Sequence, residues 1–242
     1  MTKLSVNVNK VATLRNSRGG DNPNVVRAAQ TCVAAGCHGI TVHPRPDGRH
    51  IRRQDVFDLA AVLTVEFNIE GYPSPEFLDL VCQVRPTQCT LVPDPPDVLT
   101  SNAGWDLRGD VRWLRDVLRR LHDHGIRTSL FLEPDPDQVR RAKDLGTDRI
   151  ELYTERYARL FGTPERDRVF DAYYQAALVA QEVGLGLNAG HDLNLDNLPY
   201  FARHIPGLLE VSIGHALICD ALYMGLTQAV KAYLRALGYE AS

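Results

Sequence analysis

A short apolar run rich in β-branched residues, followed by a longer stretch of helical period, recurs about eight times along these 242 residues. This alternation constrains the fold more than any other feature. The runs that read as strands are Leu4–Asn9, Gly39–His43, Val65–Glu70, Gln88–Val92, Arg127–Leu132, Arg149–Leu152, Gly184–Asn188 and Leu209–Ile213. Helical period covers Asn24–Ala35, which follows a cap-like Asn22-Pro23 pair, then Arg53–Leu63, Pro75–Val84, Asp110–His124, Pro136–Leu145, Asp167–Val183, Leu195–His204 and Ala216–Leu237. In Asp110–His124 the residues Val111, Leu114, Val117, Leu118 and Leu121 fall on one face. Eight strand–helix units is the number that closes a (β/α)8 TIM barrel; an open doubly wound sheet competes on pattern alone. No composition break or flexible linker interrupts the chain, so one domain over residues 1–242 is expected. Two segments exceed what a barrel needs, Pro93–Gly109 after the fourth strand and Tyr153–Arg166 after the sixth. Both are read as lids or extra-helix insertions.

Charge excludes some partners. Lys plus Arg number 27 and Asp plus Glu 30, a net of −3, which argues against nucleic acid or an anionic membrane as the main partner. A local anion site stays open, because a few arginines suffice for one. The five cysteines, Cys32, Cys37, Cys82, Cys89 and Cys219, form no CxxC pair and read as reduced thiols. MTKLSVNVNK has no apolar core of a signal peptide, and no apolar run approaches a membrane span, so the cytoplasm is expected.

In barrels of this kind the chemistry sits at the C-terminal ends of the strands. Here those ends carry Asn7-Val8-Asn9-Lys10, His43-Pro44-Arg45, Asn68-Ile69-Glu70, Glu151, Asn188-Ala189-Gly190-His191 and Gly214-His215. Three histidines and two glutamates on one rim can supply general acids and bases, since imidazole titrates near neutrality and burial tunes carboxyls upward. No HxH pair of the barrel zinc type occurs at a strand end, and His122 and His124 are two apart on a helix, so no metal is expected. Phosphate is a better fit. The loops after strands seven and eight, NAGHDL and IGHAL, put Gly190 and Gly214 where backbone can approach an anion, and Arg18 and Arg45 can add bidentate contacts.

The segments NVNKVATLRNSRGG (7–20), GITVHPRPDGRHI (39–51), FNIE (67–70), LVPDPPDVLT (91–100), SLFLEPD (129–135), IELYTERYA (150–158), LNAGHDLN (187–194) and EVSIGHALI (210–218) resemble, in this order, the pyridoxine 5′-phosphate synthase family of vitamin B6 biosynthesis. The resemblance implies a ring-closing condensation of 3-amino-2-oxopropyl phosphate with 1-deoxy-D-xylulose 5-phosphate, without metal or organic cofactor, in a homo-octamer. By the same resemblance His43 is an acid/base histidine, Glu70 the catalytic carboxylate, His191 a proton donor and Glu151 a transition-state carboxylate. Arg45, His50 and Thr100 match groups that hold the deoxyxylulose phosphate; Asn7, Arg18, Gly214 and His215 match groups that hold the amino ketone phosphate.

The chain departs from the commoner pattern at Asn9-Lys10, where many members have Asp-His, and at Asp192, where many have Gly. Both places belong to the expected substrate-binding set. Lys10 is expected to meet the deoxyxylulose phosphate as a point charge, with Asn9 removing an anion that would compete for it. The Pro93–Gly109 segment is expected to close over the same substrate. Two other functions fit a barrel of this kind. A Schiff-base aldolase needs a lysine at the mouth, and of the four lysines, Lys3, Lys10, Lys143 and Lys231, only Lys10 stands at the rim. A barrel that merely binds a phosphorylated metabolite would not need His43, Glu70 and His191 together.

Overall fold

The computed structural model describes residues 1–93 and 103–240. Eight parallel strands close into a barrel in sequence order: β1 (Lys3–Asn7), β2 (Gly39–Val42), β3 (Glu66–Gly71), β4 (Gln88–Leu91), β5 (Arg127–Leu132), β6 (Arg149–Leu152), β7 (Gly186–Ala189) and β8 (Leu208–Ile213). The ring shuts where β8 pairs with β1, Val211 against Leu4 and Ile213 against Val6. The eight-stranded reading is therefore right and the open sheet is not. The helices are α1 (Asn9–Asn16), α2 (Val25–Ala34), α3 (Arg53–Val62), α4 (Pro75–Val84), α5 (Arg112–Asp123), α6 (Pro136–Leu145), α7 (Glu155–Leu160), α8 (Arg166–Glu182), α9 (Leu198–His204), α10 (His215–Met224) and α11 (Leu226–Ala236).

Four local readings change. β1 stops at Asn7, and Asn9-Lys10 open α1 instead of ending a strand. β7 starts at Gly186, because Gly184 has a φ of 70°, which terminates α8 and cannot continue into a strand. The last helical stretch is two helices, broken at Gly225 with a φ of 82°. The cap of α2 is Asn24, whose side chain accepts the Arg27 N–H at 2.8 Å, not the Asn22-Pro23 pair. The Tyr153–Arg166 insertion does contain an extra helix, α7.

Strand alternation divides the two sides of the barrel wall. Ile40, Val42, Ile69, Leu91, Leu130, Leu132, Ile150, Leu152 and Val211 face the helices and are fully buried in the apolar layer. The other stripe is polar and also buried: Ser5, Thr41, Asn68, Thr90, Ser129, Glu151, Asn188 and Glu210. Ser5 and Thr41 share a hydrogen bond of 2.7 Å, and Thr90 donates to Asn68 at 3.1 Å. Such a lining differs from the branched aliphatic filling common to these barrels. At the N-terminal mouth Lys3 and Arg127 both clasp Glu66, whose carboxyl they draw down to about 2 despite its partial burial. No described helix is long and apolar enough to cross a membrane.

The described part of the Pro93–Gly109 segment is anchored. Trp105 is buried, donates its indole N–H to Leu91 O at 2.9 Å, and stacks on Tyr72 with ring centroids 6.3 Å apart. Gly104 lies so close to β5 that a Cβ would come within 2.3 Å of Glu133 N. Thr100 and the tip of the expected lid fall outside the described residues.

Candidate active site

The polar stripe ends at the C-terminal rim in a cluster of titratable groups. His43 follows β2 and is buried at 8 % exposure. Its backbone N–H donates to Asn9 Oδ1 at 2.9 Å, and Asn7 Oδ1 accepts the Asn9 N–H at 3.0 Å. The ends of β1 and β2 are thereby tied, with Asn9 serving as the tie. Burial, then the positive charges of Arg45, His50 and Arg49, hold the His43 imidazole neutral, well below its ordinary range.

Glu70, at the end of β3, stands 4.0 Å from His43 Nδ1 with its side chain 14 % exposed. Loss of hydration pushes its carboxyl up to about 7; the charges of His191 and Arg45 pull it down, and Glu210 pushes it up. Glu151, on β6, is buried at 4 % exposure, and burial with the nearby Glu70 and Glu210 keeps it protonated well above the usual carboxylate range. Its carboxyl presses on Gly190, where a Cβ would lie 2.9 Å from Glu151 Oε1 and 2.7 Å from Ser212 O, so β7 ends in glycine for lack of room. Neighbouring carboxyls that cannot all ionise together are a recognised way to obtain an acid and a base from the same residue type.

The loop after β7 is held from below. The Thr154 hydroxyl lies 2.5 Å from both Gly190 O and His191 O. Tyr157 donates to Asn197 O at 2.8 Å, and Asn197 Nδ2 to Asp192 O at 3.3 Å. His191 packs its edge on Tyr153, with centroids 5.1 Å apart, and its Nδ1 meets Asp192 Oδ2 at 2.7 Å.

The loop after β2 is braced by a pair that the sequence did not single out. Arg15 is 1 % exposed and grips both oxygens of Asp55, at 2.6 and 2.9 Å, while donating to His50 O at 3.0 Å. Asp55 in turn accepts the Arg52 N–H at 2.7 Å and caps α3. His50 therefore sits on a fixed backbone. Its Nδ1 accepts the Ile51 N–H at 2.9 Å, which puts the ring proton on Nε2. Burial and the charges of Arg45, Lys10 and Arg49 lower it to about 4. Buried Arg45 thus bears on His43, His50 and Glu70 together. Beside it a cavity of about 420 Å³ is lined by His43, Arg45, Ile51, Tyr72 and Phe77.

Lys10, exposed on α1, is near enough for its charge to reach His50. Gly214 is the N-cap of α10 and packs 3.1 Å (as a would-be Cβ) from Asn7 Cβ. Among the described residues no side chain caps α10, so the first-turn N–H groups around His215 are suited to an anion. His215 is exposed, with Nε2 3.5 Å from Cys219 Sγ. Arg18 is the site candidate least tied to this cluster: it follows α1 with an exposed side chain, and its backbone N–H donates to Arg15 O at 3.4 Å. Thr100 is outside the described residues. Among the described residues no group of three or more His, Cys, Asp or Glu side chains is arranged to hold a metal ion.

Sequence reading missed Glu210, which is 2 % exposed and pushed up to about 7 by burial. The signal was present, because alternation in EVSIG sets Glu210, Ser212 and Gly214 on one side and Val211 and Ile213 on the other. Arg15 and Asp55 gave no such signal, because their pairing spans 40 residues.

Residues 4–239 match the family described as pyridoxal phosphate biosynthesis protein PdxJ. A pyridoxine 5′-phosphate synthase of Bacteroides thetaiotaomicron is 58% identical over 238 residues, covering 98% of this chain and 100% of the relative. One from Porphyromonas gingivalis is 57% identical over 233 residues, covering 96% and 98%. Among solved structures, phosphoribosyl anthranilate isomerase from Thermotoga maritima superposes with a TM-score of 0.63 at 14% identity, covering 98% of this chain and 99% of that one. Thiamine phosphate pyrophosphorylase from Pyrococcus furiosus gives 0.59 at 11%, covering 98% and 95%. These two likenesses speak to the barrel fold alone.

Proposed function

Since the chain belongs to the pyridoxal phosphate biosynthesis protein PdxJ family, and is thus an enzyme of vitamin B6 biosynthesis, we propose that it joins 3-amino-2-oxopropyl phosphate to 1-deoxy-D-xylulose 5-phosphate, releasing pyridoxine 5′-phosphate, inorganic phosphate and water. The observation that carries this reading is the division of protons at the rim. Neutral His43 stands 4.0 Å from Glu70, whose carboxyl titrates near neutrality, while Glu151 stays protonated beyond it.

The chemistry requires such a division. The amine of one substrate adds to the ketone of the other, and a first water leaves to form an imine between the two substrates. One phosphate is then eliminated as a proton leaves carbon, a water adds to the carbon it left, a carbon–carbon bond closes the ring, and two further waters depart as the ring becomes aromatic, for a net release of two waters. Each loss of water needs an acid at the departing oxygen, and each enolisation needs a base at carbon. Glu70 with His43 is assigned the base, and Glu151 and His191 the acids. Arg45, His50, Lys10 and Thr100 are assigned to the deoxyxylulose phosphate; Asn7, Arg18, Gly214 and His215 to the amino ketone phosphate. Asn9 acts on the former indirectly, by holding the His43 backbone. Fixing both substrates at one mouth converts a bimolecular condensation into an effectively unimolecular one. A homo-oligomer, an octamer by family resemblance, and a single catalytic domain over residues 1–242 complete the proposal.

Incubation with both phosphates, followed by pyridoxine phosphate fluorescence and phosphate release, tests the reading. Product and phosphate in equal amounts are expected. Phosphate release or imine formation with only one substrate present would point instead to an aldolase-type or lyase activity.

A further inference from the structure

Residues 48–52, between β2 and α3, belong to neither helix nor strand, so their carbonyls need partners from elsewhere. They find them at the end of α1. Asn16 Nδ2 donates to Gly48 O at 3.2 Å and to His50 O at 2.8 Å, and Arg15 Nη2 adds a second bond to His50 O at 3.0 Å. Both lone pairs of the His50 carbonyl are thereby taken. Arg15 Nε donates to Asn16 Oδ1 at 3.0 Å, which turns the amide so that its nitrogen faces the carbonyls. The rest of the guanidinium holds Asp55, and Asp55 accepts the Arg52 N–H at 2.7 Å. Two consecutive residues of one helix thus grip the loop at residues 48, 50 and 52.

Stability alone is a poor reason for this grip. Arg15 is 1 % exposed, and a buried ion pair often stabilises a fold less than an apolar side chain of the same size would. What the grip secures is the His50 ring. The groups facing that ring are Arg45, Asp47 and Arg49 from its own loop, Lys10 from α1, and His43 from the end of β2, with the two imidazole centroids 6.3 Å apart. Burial, then the cations Arg45, Lys10 and Arg49, bring the imidazole down to about 4 against the pull of Asp47, so at neutral pH the ring is uncharged. With Nδ1 accepting the Ile51 N–H, the proton sits on Nε2. An uncharged donor offers a phosphate one directed N–H and no net charge. Its worth therefore depends on placement more than that of a lysine or an arginine does.

We propose that Arg15 and Asn16 are positioning residues for substrate binding: from the end of α1 they fix the His50 backbone and so aim its Nε2–H at the deoxyxylulose phosphate. This rests on the reading of His50 as a ligand of that substrate. The clamp also joins two parts of one subsite. Lys10 lies in the first turn of α1, and Arg15 and Asn16 close the same helix. One short rigid element therefore carries the ammonium and holds the loop that carries the imidazole, and it sets the spacing between them.

The test uses two variants of the full chain. Asn16→Ala removes the amide donor from a half-buried position, and Arg15→Lys keeps the charge but loses the planar fork. Substrate-free protein labelled with ¹⁵N-histidine is titrated, and the His50 signal is assigned by its loss in His50→Asn. The parent is expected to show the Nε2–H tautomer at neutral pH and to protonate only near pH 4. In both variants the released ring is rehydrated, and its titration should rise by about one unit or more. KM for the deoxyxylulose phosphate should rise roughly tenfold, while kcat and KM for the amino ketone phosphate stay within about twofold. An unchanged His50 titration in Asn16→Ala overturns the inference. A loss spread equally over both substrates, the mark of a loosened fold, does so too, as does a shifted titration with both KM values unchanged. Should Arg15→Lys fail to fold, Asn16→Ala decides alone. If no condensation is observed, calorimetric binding of 1-deoxy-D-xylulose 5-phosphate by itself takes the place of KM, with weaker binding in the variants expected and equal binding overturning the inference, so it is decided apart from the reaction.

Discussion

Glu70 carries the sharpest consequence at the scale of the residue. Its carboxyl titrates near 7 because burial outweighs the favourable charges of His191 and Arg45. Replacing it by glutamine keeps size and removes proton transfer, so Glu70→Gln is expected to lower kcat by roughly 10²-fold or more with the melting temperature preserved. Steady-state kinetics with both substrates checks this, and near-normal turnover removes Glu70 from the mechanism. Lys10 is a different case. Its ammonium is exposed on the first turn of α1, within reach of His50, on which the Arg45 charge also acts, and this suits a point-charge contact to phosphate and not a buried amine nucleophile. Lys10→Ala should raise KM for the deoxyxylulose phosphate by roughly 10- to 100-fold, the worth of one charged hydrogen bond of about 1.5–3 kcal/mol. KM for the amino ketone phosphate should scarcely change. A borohydride-trapped adduct on Lys10 would overturn the assignment in favour of an aldolase-like imine.

Among the elements, β8 shows how alternation stores protons inside the barrel. Glu210 is buried and pushed up to about 7, above its value in an unfolded chain. The folded protein therefore holds a proton there that the unfolded chain loses from about pH 4.5 upward. Stability contributed by this group is present below that pH and declines as pH rises toward 7. His43 and His50, lowered by burial, work in the opposite sense, since the unfolded chain takes up protons there as pH falls below about 6.5. The two trends offset each other in the parent protein, so the variant has to be compared with the parent. Glu210→Gln should gain stability relative to the parent between pH 5 and pH 8, by roughly 1–3 kcal/mol. Denaturant melts at the two pH values measure it, and a difference independent of pH would show that Glu210 is ionised in the folded protein throughout. The elements also show where local pattern failed. Gly184 suited both a helix end and a strand start, and its positive φ settled the matter for the helix. Asn9-Lys10 looked like strand because Val6 and Val8 are apolar, yet β1 ends at Asn7 and Val8 caps α1.

The whole molecule presents one surface that a barrel alone does not explain. Leu222, Tyr223 and Met224 at the α10–α11 elbow are 68%, 93% and 41% exposed. Tyr233, one helix further on, is fully buried and donates to Asp220 at 2.8 Å, so it belongs to the core. A contiguous apolar elbow favours association. Light scattering at micromolar concentration is expected to return a multiple of the 27.0 kDa chain mass, eightfold if the family resemblance extends to assembly. Tyr223→Lys should reduce that mass. A 27.0 kDa particle for the parent protein defeats the expectation.

Sequence by itself determined the barrel and most of its rim. Strand alternation and helical period are local properties, and eight repeats of them leave few ways to bury the apolar stripes. The rim residues His43, Glu70, Glu151, His191 and Gly214 were legible for the same reason, since strand ends mark them. Tertiary structure alone decided the protonation of His43, Glu70 and Glu151. Burial depends on what packs around a group, and the Glu70–Glu151–Glu210 set comes from three strands that only barrel closure brings together. It also decided the Arg15–Asp55 brace, whose partners lie on different helices and leave no periodic trace. Finally it decided the Asp192–His191 contact, which depends on a backbone angle that the sequence, having aspartate where glycine is easier, gave no reason to expect.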